Sequence, residues 1–278
     1  MNERDRDFLL LLEKDEPSQS TEYISQIKED GRRVKVKKEG DTITFIGRDN
    51  INPSHYPEVL DNLKKIPFDF EVDTEFAVYD KEGIKSDRGL LQTRDRTAQP
   101  LKIRLMSQMM PVTPTMFDIL SFKGQSILNE PYEERKRILD EAFSSMSGVK
   151  VVHDFGSADE AWKYAEDHHL EGIVQRKKSA PYLKGRSDIA IKVKRKITTE
   201  LLVTSYIQHP AGIRVQSSNG IAITINGAQH KSVKEKMDKF GCCRILIRSM
   251  ADRTGNNKFR EPVYAGEVRD NGATSKEN

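Results

Sequence analysis

The chain has 278 residues, a little under twice the roughly 150 of an average domain, which accommodates one large domain or a large and a small one. Its 46 Lys and Arg against 43 Asp and Glu leave a net charge of +3, and 32% charged residues with a mean hydropathy of -0.67 exclude a polycationic tail protein. The longest apolar run near the start, residues 8–12, is far short of the ~20 residues of a membrane span, and the two adjacent cysteines, Cys242 and Cys243, suit neither a structural disulfide nor a cysteine zinc site. A protein of a reducing cytoplasm, with no membrane contact, is expected.

Residues 3–14 set Phe8, Leu9, Leu11 and Leu12 among charges and predict a short amphipathic helix ended by the segment that contains Pro17. Between 23 and 45, Val34 and Val36 alternate with Lys35 and Lys37. A Glu39-Gly40-Asp41 turn and then Ile43 and Phe45 complete the pattern of a β-hairpin. Val59, Leu60 and Leu63 predict a helix over 57–65 that Pro67 stops. From 68 to 78 the period is two: Phe68, Phe70, Val72, Phe76 and Val78 share one face of a strand, and Asp69, Glu71, Asp73 and Glu75 share the other.

Further helices are expected around 94–108, at 132–146 and at 157–168, where Ser157 and Glu160 form a capping-box pattern. Two strands bracket the basic stretch 176–196, the second with Ile189, Ile191 and Val193 on one face and Asp188, Lys192 and Lys194 on the other. After Lys196 come five short strands interrupted by one helix at about 232–240, the composition of an OB-type barrel, with a domain boundary near 196–199.

Lys28, Asp30, Gly31 and Arg33 spell KxDGxR, a spacing that arises by chance in roughly one sequence in a few hundred of this length. Without further support it reads equally as a charged Asp-Gly turn. A lysine flanked by arginines in a partly closed pocket can have its pKa lowered and attack phosphorus or a carbonyl as an amine.

Here the sequence resembles the covalent nucleotidyltransferases, and among them most closely the ATP-dependent DNA ligases. Further family motifs follow in order: Ile46-Gly47-Arg48, Asp73-Thr74-Glu75, Phe117-Asp118-Ile119-Leu120, Glu171-Gly172-Ile173-Val174, Lys192-Val193-Lys194, and Arg260-Glu261-Pro262-Val263-Tyr264 with Arg269-Asp270. The resemblance covers residues 28–270. It implies an α+β fold: a nucleotidyltransferase (adenylation) domain of antiparallel sheets with helices over 1–197, followed by a small OB-fold β-barrel domain with a polar tail over 198–278.

The resemblance also implies the roles. Lys28 is the nucleophile that becomes lysyl-AMP, and Ile27, Arg33, Arg48, Glu75, Phe117, Glu171, Lys192 and Lys194 bind the nucleotide. The Phe117 ring stacks on adenine, Glu75 and Glu171 hold Mg2+ or Mn2+, and the two lysines hold the α-phosphate. Arg33, Arg48, Arg260, Arg269 and Asp270 contact DNA or pyrophosphate. The substrates are ATP and nicked duplex DNA, and the enzyme acts as a monomer.

Only 27 residues precede Lys28, so by the resemblance the large N-terminal DNA-binding domain of replicative ligases is absent, which suits a phage, viral or accessory bacterial enzyme working in the cytoplasm. The sequence departs from the family pattern at Thr74 for a usual glycine, Arg176 for lysine, Ala190 for an aromatic and Asn271 for lysine. The alternatives are an RNA ligase, an mRNA-capping guanylyltransferase, or a nucleic-acid-binding protein that kept the fold and lost the chemistry. Read from the residues alone, a strand face of carboxylates and a strand face of lysines supply metal ligands and phosphate-binding cations if one cleft brings them together.

Overall fold

The protein is described by a computed structural model over residues 7–218, 220–251 and 259–268. It divides into two compact units, Met1–Lys194 and Arg195–Asn278. The first unit contains β1 (Leu9–Lys14), β2 (Tyr23–Ile27), β3 (Arg32–Glu39), β4 (Thr42–Ile46), α1 (Pro57–Lys64), β5 (Phe70–Ala77), α2 (Arg88–Asp95) and α3 (Pro100–Met109). It continues with β6 (Thr113–Phe122), β7 (Gln125–Ser126), α4 (Tyr132–Phe143), β8 (Lys150–Val151), β9 (Asp154–Phe155), α5 (Ala158–Asp167), β10 (Gly172–Lys177) and β11 (Gly185–Lys194). Two sheets result, with strand orders β1-β11-β10-β2-β9 and β4-β3-β5-β6-β7, and β8 lies beside β6.

The alternation in β5 builds the larger core. Phe70, Val72 and Phe76 are buried against Val34 and Val36 of β3, Met116 and Ile119 of β6, Val59 and Leu63 of α1, and Leu139 and Phe143 of α4. Each such side chain contributes about 1.5–3 kcal/mol by leaving water. Thr74 shares this apolar face, and its hydroxyl donates to the Val34 carbonyl at 3.1 Å. The departure from glycine at this position is thus satisfied inside the core, away from the polar face of the strand.

Two expectations are corrected. Residues 9–14 form the strand β1, parallel to β11, where a helix was expected over 3–14. A continuous apolar run has no period of its own, and as a strand beside β11 it buries both Leu9 and Leu10. The helix expected at 94–108 is two helices. Asp87 caps α2 by accepting from the backbone N–H groups of Gly89 and Leu90, and Pro100, with no N–H to give, opens α3 at its first turn. At α5 the serine half of the capping box forms, the Ser157 hydroxyl accepting from the Glu160 N–H at 3.1 Å, whereas the Glu160 carboxylate accepts from the Gly156 N–H at 3.0 Å, one residue before the cap.

The second unit holds β12 (Lys196–His209), β13 (Gly212–Ser217), β14 (Ala222–Asn226), α6 (Gln229–Phe240), β15 (Cys243–Met250) and β16 (Val263–Glu267). Its antiparallel sheet runs β14-β13-β12-β15-β16, and the edge strands β14 and β16 approach each other as the sheet curls. Alternation buries Val203, Ile213, Val215, Ile225, Ile245 and Ile247 inside the curl, where Val233 and Met237 of α6 close the core. A helix between the third and fourth of five strands is the OB-type arrangement. Cys242 is exposed and Cys243 buried, and the two are not joined in a disulfide. Among the described residues no helix is long and apolar enough to cross a membrane.

Candidate active site

Lys28 directly follows β2, and its backbone N–H donates to the Gly172 carbonyl at 2.9 Å. In the sheet register Ile27 lies opposite Ile173, and Ile173 opposite Val193. These three apolar side chains turn to Ala161 and Ala165 of α5. By alternation, the neighbouring rows turn the other way: Gln26 with Val174 and Lys192, and Lys28 with Gly172 and Lys194. Gly172 is obligatory in this row, because at φ +148° a Cβ would stand 2.1 Å from the Val193 carbonyl oxygen.

The other sheet supplies the opposing wall. Arg33 of β3 pairs with Glu75 of β5, which pairs with Thr115 of β6, so the three share a face. The β5–β6 ladder then slips by one residue, with Thr74 opposite Met116 but Asp73 opposite Asp118. Phe117 is the extra residue, and the bulge aims its ring into the cleft. Gly31 allows the turn after Lys28 to lie on β5, since a Cβ there would meet the Phe76 carbonyl oxygen at 2.2 Å.

The two walls enclose a cleft of about 450 Å³ of empty space, open solvent included. Ile27, Lys28, Arg33, Glu75 and Phe117 line it together with Leu11, Gln26, Glu29, Thr115, Val152, Val174 and Arg176. The Lys28 Nζ donates to Glu171 Oε2 at 2.8 Å, although Glu171 is not itself among the lining residues. By strand parity Lys192 and Lys194 share the face of Gln26 and Val174, but neither is among the lining residues; Lys192 Nζ lies 3.2 Å from Glu13 Oε2.

Arg48 is exposed on the loop after β4 and is not among the lining residues. Arg260 lies in the second unit, where its carbonyl accepts from the Met250 N–H at 3.0 Å. Arg269, Asp270 and the Asn271 departure lie outside the described residues.

The electrostatics correct one expectation. Lys28 was expected to be depressed by flanking arginines, but Arg32 turns to Asp49 and Asp95, and Arg33 turns to Asp73. Burial pushes the Lys28 ammonium down, yet the carboxylates of Glu171, Glu75 and Asp30 outweigh it, so its pKa sits above the ordinary lysine value. The resting side chain is an ammonium hydrogen-bonded to a carboxylate.

Arg33 forms a fork on Asp73, with Nε–Oδ1 2.9 Å and Nη2–Oδ2 2.5 Å, and also donates to the Leu9 carbonyl of β1 at 2.5 Å. The Tyr182 hydroxyl donates to Asp73 at 2.8 Å. Burial pushes Glu75 up to about 7, opposed by Lys28 and Arg33 and reinforced by Glu171.

Because the folded value of Glu75 lies above its ordinary 4.5, the folded state holds an extra proton between pH 4.5 and about 7, and stability falls as pH rises through that window. Glu75→Gln is expected to flatten this slope in thermal denaturation from pH 4.5 to 7.5 without nucleotide. Identical slopes for the two proteins would contradict the assignment.

Several lining residues escaped the sequence reading. Gln26 carries the signal of parity, two residues from Lys28 on the same strand face, and Val174, quoted within a motif, was given no role. Leu11 carried none once residues 3–14 were read as helix. Arg176, noted only as a departure, bonds Gln26 at 2.9 Å and lies 4.6 Å from the Phe117 ring centroid, while Arg33 lies 5.4 Å from it. The Tyr132 hydroxyl fixes this corner by donating to the Phe117 carbonyl at 2.9 Å. Ala190 is fully buried in a cluster with Leu9, Leu120 and the Tyr182 ring.

Residues 13–194 match the family described as the ATP dependent DNA ligase domain. The chain belongs to the ATP-dependent DNA ligase family. This ligase chain is 29% identical over 277 residues to the SPbeta prophage-derived DNA ligase-like protein LigB of Bacillus subtilis (strain 168), covering 92% of this chain and 96% of that protein. A probable DNA ligase of Persephonella marina (strain DSM 14350 / EX-H1) is 28% identical over 193 residues, but this ligase chain spans only 32% of its length.

In fold the chain resembles a solved minimal-scaffold Lig E DNA ligase, with a TM-score of 0.67, 17% identity and coverage of 94% of this chain and 99% of that one. It also resembles mycobacterial DNA ligase D complexed with ATP and MES, with a TM-score of 0.62, 16% identity and 97% of each chain covered.

Proposed function

We propose that this chain seals 5′-phosphate nicks in duplex DNA as an ATP-dependent ligase, through a lysyl-AMP intermediate. The observation that carries the reading is the Lys28 ammonium 2.8 Å from Glu171, with Lys28 lining a cleft that also holds Glu75, Arg33 and Phe117. In the first step Lys28 passes a proton to its nearest acceptor, Glu171, and its amine attacks the α-phosphorus of ATP; a P–N bond forms and pyrophosphate leaves. Phe117 takes the adenine, the main chain at Ile27 borders it, and Lys192 and Lys194 offset charge on the α-phosphate.

AMP then passes to the 5′-phosphate at the nick, and the 3′-hydroxyl displaces it. Arg33 and Arg48 meet the ribose or the nick phosphate, and Arg260, Arg269 and Asp270 orient pyrophosphate. We assign 1–197 to nucleotidyl transfer and 198–278 to the OB fold, in a monomeric cytoplasmic enzyme.

Magnesium or manganese fits this donor set. Glu75 is a buried carboxyl held near 7 that a cation would relieve, and Glu171 is the second oxygen donor. Among the described residues no three His, Cys, Asp or Glu converge, which leaves the remaining positions to phosphate oxygens and water. When bound, the ion offsets the charge of the phosphates.

The test is sealing of a singly nicked duplex with ATP and magnesium. DNA strands are expected to be joined far faster than an RNA nick, and ATP to be used in preference to GTP. Preferential sealing of RNA would make the chain an RNA ligase, GTP use would point to capping, and inactivity on all nicks would favour a binding protein.

A further inference from the structure

We propose that Glu13 is a positioning residue for Lys192, holding its ammonium in the phosphate-binding row before the nucleotide arrives. The inference rests on the reading of Lys192 as an α-phosphate ligand. Lys192 stands in the row of Gln26 and Val174, beside the row of Lys28 and Lys194, and a lysine on a flexible four-carbon stem does not keep its charge there unaided. Glu13 Oε2 stands 3.2 Å from its Nζ.

The pairing depends on an irregularity in the ladder. β1 runs with Leu11 opposite Ser187 and then steps so that Leu12 lies opposite Ile191 and Glu13 opposite Lys192. Had the first register continued, Glu13 would oppose Ile189. Such irregularities re-aim side chains next to working sites. The same strand gives Leu11 to the cleft wall, so β1 contributes both an apolar contact and the fixing of a charge.

Glu13 and Lys192 have side-chain exposures of 38% and 24%, and ion pairs of this kind add little to stability. Removing one partner therefore leaves the fold intact and acts on the position of the other. Mispositioning a phosphate-binding charge slows the maximal rate more than it weakens ATP binding, because adenine and ribose contacts remain.

The experiment is a double-mutant cycle on the full chain. Single-turnover labelling of the protein by α-labelled ATP is measured against ATP concentration for wild type, Glu13→Gln, Glu13→Ala, Lys192→Ala and the double variant, with thermal melts as the control for folding. Glu13→Ala is expected to lower the maximal rate about tenfold. Glu13→Gln, which keeps a hydrogen-bond acceptor, is expected to lose less, and Glu13→Ala should add nothing once Lys192 is alanine. An equal factor with and without Lys192, a wild-type rate in Glu13→Ala, or tighter ATP binding would each overturn the proposal. A wild-type rate in Lys192→Ala would instead overturn the phosphate role on which the proposal rests.

Discussion

Glu171→Ala is expected to slow the labelling of the protein by ATP by about 10²–10⁴-fold, the usual contribution of a positioned proton acceptor. Two effects oppose each other. Burial already pushes Lys28 down, and without the Glu171 carboxylate its pKa falls, which frees more amine by about tenfold for each unit. The same change removes the acceptor at 2.8 Å and one of the two glutamates that act on Lys28. Acceptor loss is the larger factor because Glu75 and Asp30 still hold Lys28 as an ammonium. Single-turnover rates at saturating ATP decide this, and a rate equal to or above wild type would contradict the role given to Glu171.

Asp73→Ala is expected to destabilise the fold by about 3–5 kcal/mol, the cost of stranding one partner of a buried ion pair. Asp73 is fully buried and accepts two hydrogen bonds from Arg33 and one from Tyr182. Arg33 also reaches the Leu9 carbonyl, so one guanidinium ties β3 and β5 to β1 across the two sheets that wall the cleft. The variant is expected to lose stability and nucleotide labelling together. Urea denaturation measures the first, and a loss under 1 kcal/mol would mean that Arg33 finds another partner at little cost.

Where a side chain's setting follows from strand parity, the sequence was legible. The period of two in β5 separated Phe70, Val72 and Phe76 from Asp73 and Glu75, and the alternation in β11 separated Ile191 and Val193 from Lys192 and Lys194. Partners distant along the chain were not legible. Arg33 finds Asp73 forty residues on, Gln26 meets Arg176 across 150, and the Phe117 bulge exists only in the pairing of β5 with β6.

β1 was misread for a related reason. An apolar run fits a buried strand or a helix face equally well until its neighbour is known, and that neighbour, β11, lies near the far end of the unit. The Lys28 charge was misjudged because KxDGxR shows arginines beside the lysine in sequence, whereas the folded turn sends them elsewhere and brings Glu171 and Glu75 to it.

The central claim is that Lys28 carries the nucleotide. Incubation with α-labelled ATP and magnesium, followed by intact-mass measurement and peptide mapping of the wild type and Lys28→Ala, tests it directly. One AMP per chain, mapped to Lys28 and lost in the variant, is the result expected. A wild-type protein that starts unmodified and acquires no AMP, or an adduct that persists in Lys28→Ala, would contradict it.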